Sequence, residues 1–318
     1  MNMNPFRGLG VALITPFNED GSVDYAALTH LVNDQIDNGA GFICALGTTG
    51  ETPCLTPEEC NEIKRTVVKT VDGRVPVLLG ISDNCTARLV NTVKNTDLGG
   101  VDGILSAAPS YNKPVQEGIY RHFMALSQAS PLPIVLYNIP GRTGVNISAD
   151  TVLRLVNDTD NIVAVKEASG NITQIADILQ AKPDRFDVLS GDDAITYEML
   201  GLGAVGVISV IGNAYPRIFS SMIKSYLSGN ESDALAIHRS LNRLYKLMSV
   251  DGNPAGVKSL LALQGKIKNV LRLPLVPASQ ATQNALQEVM KELQYAQQIN
   301  KSAGFHGVRR ICFMGYAR

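Results

Sequence analysis

A lysine and a tyrosine each close an apolar run, and together they suit chemistry at a carbonyl group. Lys166 follows residues 163–165 (VAV), and Tyr137 follows residues 134–136 (IVL). Desolvation disfavours the charged form of a lysine, and the neutral amine can attack a carbonyl to form an imine. A phenol held nearby can shuttle the proton. The alternatives are a lysine that reaches out to solvent and a tyrosine that only fills the core.

Three further segments could contact a small anionic substrate. Residues 47–51 (GTTGE) combine small residues with the hydroxyls of Thr48 and Thr49, so that backbone N–H groups can approach an anion. Arg142 lies in a Pro-Gly turn, where its guanidinium can grip a carboxylate through two hydrogen bonds. Tyr111, in a proline-bounded loop, could be a second phenol or an interface anchor. Plain turns and solvated loops would look similar.

The residues that usually bind metals do not form a metal-binding pattern. The paired acids Asp192 and Asp193 follow an apolar run, where capping of the next helix is the better interpretation. The histidines fall outside the ends of the apolar runs, and the cysteines are irregularly spaced without a C-x-x-C pair. We therefore expect no metal, no organic cofactor and no disulfide framework. The positions are His30, His122, His238, His306, Cys44, Cys54, Cys60, Cys85 and Cys312.

Charge and hydropathy exclude several kinds of partner. The 318 residues include 28 Lys and Arg and 29 Asp and Glu, and the net charge of −1 offers no field for nucleic acid or an anionic membrane. No apolar stretch approaches the roughly 18 residues of a membrane-spanning helix, and the N-terminus resembles no secretory signal. Together with cysteines read as reduced thiols, this predicts a cytoplasmic protein.

Eight short apolar runs alternate with amphipathic segments, and these elements must position the candidates. Continuous apolar runs are typical of parallel strands covered on both faces. The predicted strands are residues 11–15, 42–46, 75–79, 103–106, 134–137, 162–165, 186–189 and 205–208. Helical spacing occurs at residues 24–38, 56–71, 148–156, 172–180 and 194–202. The alternation predicts an α/β fold, the (β/α)8 TIM barrel, in which catalytic residues lie at the C-terminal strand ends. A doubly wound open sheet is the alternative, but no G-x-G-x-x-G follows the first run.

The strand pattern stops after about residue 213, and only helices are predicted beyond it. These helices are residues 214–227, 232–250, 255–264 and 279–300, with an extended linker at 273–277. We therefore divide the chain into a barrel catalytic domain at 1–228, a C-terminal helical extension at 229–300 and a loose tail at 301–318.

Four strings in this order resemble the dihydrodipicolinate synthase / N-acetylneuraminate lyase family of class I aldolases. They are GTTGE from residue 47, YNIPGRTG from 137, VKEASGN from 165 and LSGDDA from 189. The resemblance covers about residues 5 to 295. Several motifs at consistent spacing make it specific, where each motif alone would be weak. It implies a TIM barrel enzyme that forms a covalent imine with a keto acid.

The resemblance also implies a role for each candidate. Lys166 forms the Schiff base with pyruvate, and Tyr137 is the acid–base phenol above it. Thr48 and Thr49 bind the pyruvate carboxylate through backbone N–H groups. Thr48 further links Tyr137 to Tyr111 in a proton relay, and Tyr111 is contributed across a subunit interface.

Arg142 is implied to grip the second substrate, while Gly191 and Ile208 line the pocket. In the synthase branch this substrate is L-aspartate 4-semialdehyde, and its condensation with pyruvate leads to diaminopimelate and L-lysine. The P-G-R-T-G turn around Arg142 favours this branch over a lyase for N-acetylneuraminate or a 2-keto-3-deoxy sugar acid. A silent member that senses a keto acid is disfavoured by the intact Lys166 and Tyr137.

A homo-oligomer is implied as well, usually a tetramer built as a dimer of dimers, with the dimer as the alternative. Members that L-lysine inhibits carry a lysine pocket at the dimer interface, with acidic and histidine side chains. The matching positions here are Pro57, Cys60, Arg88 and Ser110. Arg88 would repel the ammonium group of free lysine, so we expect weak or absent inhibition.

Overall fold

Eight parallel strands close into a barrel, in which each strand pairs with the next and the last pairs with the first. The structure is a computed structural model that describes residues 4–302, with side chains to residue 295. The strands are β1 Gly8–Ala12, β2 Phe42–Ala45, β3 Val77–Gly80, β4 Gly103–Ala107, β5 Ile134–Asn138, β6 Ile162–Glu167, β7 Asp187–Ser190 and β8 Gly206–Ser209. The predicted TIM barrel is therefore confirmed.

Helices cover the outside of the barrel and continue beyond it. They are α1 Tyr25–Asp37, α2 Pro57–Val71, α3 Thr86–Asn95, α4 Gln116–Ala129, α5 Pro140–Thr143, α6 Ala149–Asp158, α7 Ile172–Ala181, α8 Thr196–Leu202, α9 Pro216–Leu227, α10 Glu231–Ser240, α11 Asn242–Val250, α12 Ala255–Leu263 and α13 Gln280–Ser302. Capping explains clear starts such as that of α2, where Thr56 accepts from the Glu59 N–H and Glu59 reciprocates.

Three details differ from the pattern-based prediction. Strand β1 begins at Gly8, three residues before the predicted residue 11, because the chain pairs with β8 from Gly8 onward. Helices α3 and α4 were not singled out, and neither has a side-chain N-cap that would mark its start. The predicted helix 232–250 is two helices that part at Leu241.

The N-terminal end of the barrel is closed by aromatic rings. Phe6 and Phe42 meet edge to face with centroids 5.4 Å apart. Two glycines make room for them: a Cβ on Gly10 would lie 2.1 Å from the Phe42 ring, and one on Gly103 would lie 2.7 Å from Phe6. The barrel is thus packed at this end, so access to its interior is left to the C-terminal end.

Strand alternation determines which side chains enter the barrel. Val135 and Tyr137 on β5 share the interior cluster with Ala164 on β6, two residues before Lys166. Side chains two apart on a strand lie on one face. Lys166 and Tyr137 therefore enter the barrel at its C-terminal end, where catalytic residues of this fold usually lie.

The C-terminal helices pack on the barrel and share its core. Leu244, Val257, Leu260 and Leu286 belong to the same buried cluster as Leu9 of β1. The proposed division at residue 228 stays a prediction. Helix α13 runs to Ser302, two residues into the predicted tail, and residues 303–318 of that tail lie outside the described residues. Of the helices described, none is long and apolar enough to cross a membrane.

Candidate active site

Lys166 and Tyr137 are adjacent in the mouth of the barrel. They are direct partners in the β5–β6 register, and the Lys166 Nζ lies 4.2 Å from the centroid of the Tyr137 ring. Both side chains are buried, with 5% and 6% of their surface exposed. Within residues 4–295 the Lys166 ammonium has no hydrogen-bond or ion-pair partner. A buried amine without a counter-ion beside a phenol fits the predicted imine chemistry.

Gly191 makes room for the lysine. A Cβ at this position would lie 3.0 Å from the Lys166 Cε and 2.7 Å from the Ala168 Cβ, closer than packed atoms tolerate. Ile208 of β8 is fully buried in the interior cluster that holds Tyr137. The two residues predicted to line the pocket therefore border the lysine stem and the barrel interior.

Cys44 of β2 also faces the barrel interior, and sequence reasoning assigned it no role in the site. Burial raises the pKa of its thiol to about 11, although the positive charge of Lys166 works in the opposite direction. The thiol therefore stays neutral, so it supplies no negative charge to hold the lysine protonated.

The segment predicted to bind an anion, residues 47–51, contains a 3-10 turn, Thr48–Gly50, that follows β2 and is called the cradle below. The backbone N–H groups of Thr48 and Thr49 start this turn and have no acceptor among the described residues. Thr49 is buried, and its Oγ1 accepts a hydrogen bond of 2.9 Å from Asn253. The described contacts include no Thr48–Tyr137 hydrogen bond, so the proton relay stays a prediction.

Arg142 lies in the short helix α5, directly after β5. Its side chain is exposed, and its Nη2 donates to the backbone O of Asn253 at 3.1 Å. Asn253 thus contacts both the cradle and the arginine, and sequence reasoning missed it. The sequence marks Asn253 only as part of an Asn-Pro pair before helix α12, and such a pair indicates a turn more often than a functional site.

Tyr111 lies in the loop after β4 and forms no hydrogen bond or ring contact with Lys166 among the described residues. Its side chain is 91% exposed, and its backbone has a φ of +70°, which is uncommon for a residue with a Cβ. Its N–H donates to the O of Thr143, which attaches the loop to the end of α5. An aromatic side chain held outward in this way is suited to contact with a second subunit.

A buried polar network fixes the ends of β5 and β6. Glu167 is fully buried next to Lys166, and its carboxylate accepts from Asn138, Gln174 and the Ser169 N–H. Asn138 in turn accepts from the Ile147 N–H. Because Glu167 follows Lys166, its side chain lies on the outer face of the strand. The network therefore fixes the strand ends that carry Lys166 and Tyr137, and it does so from the outer face of the barrel.

The paired acids after β7 serve structural roles. Asp192 accepts from the Ala194 N–H at 2.9 Å, which confirms the predicted capping. Asp193 is buried and accepts from the N–H groups of Val210 and Ile211 in the turn after β8. Burial raises the pKa of Asp193 to about 6. Among the described residues, no three His, Cys, Asp or Glu side chains are grouped to hold a metal ion.

Comparisons with known proteins show which family the chain belongs to. The sequence profile of the dihydrodipicolinate synthetase family matches residues 5–293. The chain belongs to this family. It is 58% identical over 287 residues to the 4-hydroxy-tetrahydrodipicolinate synthase of Phocaeicola vulgatus, which covers 90% of this chain and 97% of the relative. At this identity and coverage the activity is that of a 4-hydroxy-tetrahydrodipicolinate synthase, a lyase of lysine biosynthesis.

Solved structures show the same architecture. The 4-hydroxy-tetrahydrodipicolinate synthase of Methylacidiphilum fumariolicum superposes with a TM-score of 0.89 at 39% identity and covers 97% of this chain and 100% of its own. The dihydrodipicolinate synthase of Acinetobacter baumannii, solved in complex with pyruvate, has a TM-score of 0.87 at 35% identity and covers 90% of this chain and 98% of its own.

The positions that match the lysine pocket of inhibited members are partly occupied by their own contacts. Arg88 forms an ion pair with Asp83, with Nη2 and Oδ1 2.8 Å apart. Ser110 donates to Asn84 at 3.0 Å, and Cys60 is half-buried. The repulsion expected from Arg88 is therefore weakened by Asp83, but the same ion pair occupies an acidic group that a free lysine would need.

Proposed function

We propose that this chain condenses pyruvate with L-aspartate 4-semialdehyde through an imine on Lys166. The single observation that carries the proposal is the buried Lys166 amine without a counter-ion, 4.2 Å from the Tyr137 ring at the open end of the barrel. The pyruvate complex of the Acinetobacter baumannii relative supports the first substrate.

The chemistry follows from these groups. The Lys166 amine attacks the keto carbon of pyruvate, and loss of water gives a protonated imine. The imine withdraws electrons, so the methyl group can lose a proton and form an enamine. The enamine carbon then attacks the aldehyde carbon of the second substrate. Tyr137 moves protons in these steps, and the free N–H groups of Thr48 and Thr49 hold the pyruvate carboxylate.

The second substrate is proposed to bind at Arg142. Its exposed guanidinium is held by the backbone O of Asn253, and within residues 4–295 its other donors have no partner and could bind a carboxylate. Tyr111 would complete the relay through Thr48 from a neighbouring subunit, which its outward position supports. A homotetramer built as a dimer of dimers is part of this proposal. So is a cytoplasmic location, supported by the free thiols of the described cysteines.

The experiment that tests the proposal is borohydride reduction in the presence of pyruvate, followed by peptide mass analysis. Reduction should leave a stable pyruvate-derived adduct on Lys166, and Lys166→Ala should leave none. An unmodified Lys166 would contradict every imine mechanism. A coupled assay should then show turnover with L-aspartate 4-semialdehyde and none with N-acetylneuraminate, whereas the reverse result would assign the lyase reaction instead.

A further inference from the structure

We propose that Glu51 and Lys258 form a positioning pair that holds the Thr48–Thr49 cradle in shape and thereby determines the affinity for the keto-acid carboxylate. The inference rests on the proposed function, because it deepens the role of the cradle. Neither residue touches the Lys166–Tyr137 pair in the described contacts, so both are positioning residues.

The pair is completely buried. Both side chains have 0% exposed surface, and the Lys258 Nζ lies 2.5 Å from the Glu51 Oε1. Burial lowers the pKa of Lys258 to about 8, although Glu51 opposes the shift. Removing two charges from water carries a large desolvation cost, and well-packed apolar residues are often equally stable in such places. A contribution to stability therefore explains the pair poorly. We infer instead that the pair fixes a particular backbone conformation.

Glu51 holds a strained piece of backbone at the end of the cradle. Its φ of 55° and ψ of 32° are left-handed, a region that disfavours a residue with a Cβ. Its N–H donates to the O of Thr48 and closes the turn. Its other carboxylate oxygen, Oε2, accepts from the N–H of Arg272 at 3.0 Å. The carboxylate is thus fixed from two distant segments, and it keeps the residue in this conformation.

Lys258 anchors the helix that makes the second contact with the cradle. It lies in α12, and Asn253, two positions before this helix begins, donates to the Oγ1 of Thr49 and accepts from Arg142. The Glu51–Lys258 pair therefore attaches to the cradle the same segment that bridges the two predicted carboxylate-binding groups. A shift of α12 would displace both.

The ring of Phe17 explains how the Lys258 ammonium can be buried in the core. The Lys258 Nζ lies 4.1 Å from the centroid of the Phe17 ring, and the guanidinium carbon of Arg272 lies 4.6 Å from it. A ring face attracts cations, and most strongly where water is excluded. From the β1 side, the Thr15 hydroxyl donates to the O of Gly50 at 2.7 Å. The cradle is thereby held from both sides.

The test compares Lys258→Met and Glu51→Gln with the wild type. We expect the pyruvate concentration that gives half-maximal borohydride trapping of Lys166 to rise at least tenfold in each variant. The pyruvate KM should rise in parallel, while kcat at saturating pyruvate stays within about threefold, since the reacting groups are untouched. The double variant should recover part of the loss, because it leaves no unpaired buried charge.

Lys64→Met is the matched control. Lys64 is another buried lysine, and it bonds to Asp97, with contacts to neither the cradle nor α12. Its loss should leave half-maximal trapping unchanged even if the protein becomes less stable. If Lys258→Met does not fold, Lys258→Arg keeps the charge but changes the geometry and carries the same expectation.

The outcomes separate this inference from the proposed function. A half-maximal pyruvate concentration within twofold of the wild type in a folded Lys258 or Glu51 variant would overturn the positioning role. An equal rise of the half-maximal pyruvate concentration in Lys64→Met would also overturn it, since the effect would then reflect only a general loss of stability. Failure to trap pyruvate on the wild-type Lys166 would instead overturn the proposed function itself.

Discussion

At the scale of single residues, a glycine decides whether a lysine can occupy the barrel mouth. We predict that Gly191→Ala lowers activity by about tenfold, because the lysine stem must give by a few tenths of an ångström and a displacement of about 1 Å at a reacting group can cost about a hundredfold. The added Cβ would lie 3.0 Å from the Lys166 Cε and would push the amine from its position beside Tyr137. The measurement is kcat/KM together with borohydride trapping.

Gly201→Ala is the control for this prediction. A Cβ at Gly201, in helix α8, would meet only the far end of the Tyr226 side chain at 3.3 Å. This variant should keep normal activity and trapping. Normal trapping in a folded Gly191→Ala protein would show that the lysine has more room than the structure gives it.

The candidate reacting residues were easier to single out from the sequence than the residues that position them. Lys166 and Tyr137 were singled out because a lone polar residue at the end of an apolar run can be recognised from the sequence alone. Asn253, Glu167 and Lys258 were given no role, since each acts through a partner distant in the sequence. Glu51 was quoted within the GTTGE string, but nothing in the string reveals that its partner lies 207 positions later.

At the scale of elements, Asp193 connects the 3-10 turn before helix α8 to the turn after β8, and the stability of this connection is predicted to depend on pH. Its folded-state pKa of about 6 lies above the usual 3.8, because burial penalises the carboxylate. The folded state therefore holds a proton that the unfolded chain has released. This contribution to stability is fully present below pH 3.8 and is lost as pH rises through 6. The loss is on the order of 3 kcal/mol.

The variant Asp193→Asn tests this dependence, because it cannot ionise. Urea unfolding between pH 4 and pH 8 should show the variant gaining free energy of unfolding relative to the wild type as pH rises. The exposed Asp177→Asn serves as control and should change stability equally across the range. A difference between Asp193→Asn and the wild type that does not vary with pH would contradict the assignment.

The prediction of elements succeeded where periodicity was strong and failed where it was weak. All eight strands were predicted, because buried parallel strands are uninterrupted apolar runs. The break between α10 and α11 was missed because both helices continue one apolar pattern through Leu241. Helices α3 and α4 lack side-chain N-caps, and their starts are therefore hard to recognise in the sequence.

At the scale of the whole molecule, the exposed Tyr111 predicts an active site shared between subunits. Lys166→Ala and Tyr111→Phe should each be nearly inactive when pure. Co-refolded in equal amounts, they should recover about a quarter of the wild-type activity, because random pairing in a two-fold dimer gives one complete site in half of the dimers. Recovery of no activity would place Tyr111 outside a neighbour's site.

The response to L-lysine is a second prediction at this scale. We expect weak or absent inhibition, because Arg88 brings a positive charge to this region and pairs with the Asp83 carboxylate, which is then not free to bind an ammonium group. Initial rates with pyruvate and L-aspartate 4-semialdehyde over a lysine titration provide the measurement. Tight inhibition at sub-millimolar lysine would contradict the expectation, whereas Arg88→Glu should create or strengthen inhibition.

The sequence by itself determined the barrel, the order of its strands and the choice of Lys166 and Tyr137 as the candidate reacting pair. Local patterns suffice for these, since apolar runs and the residues that end them are neighbours in the chain. The tertiary structure alone decided what surrounds them: the space left by Gly191, the bridge made by Asn253 and the buried Glu51–Lys258 pair. These depend on packing between segments far apart in sequence, where distance and burial rather than residue type determine the energy.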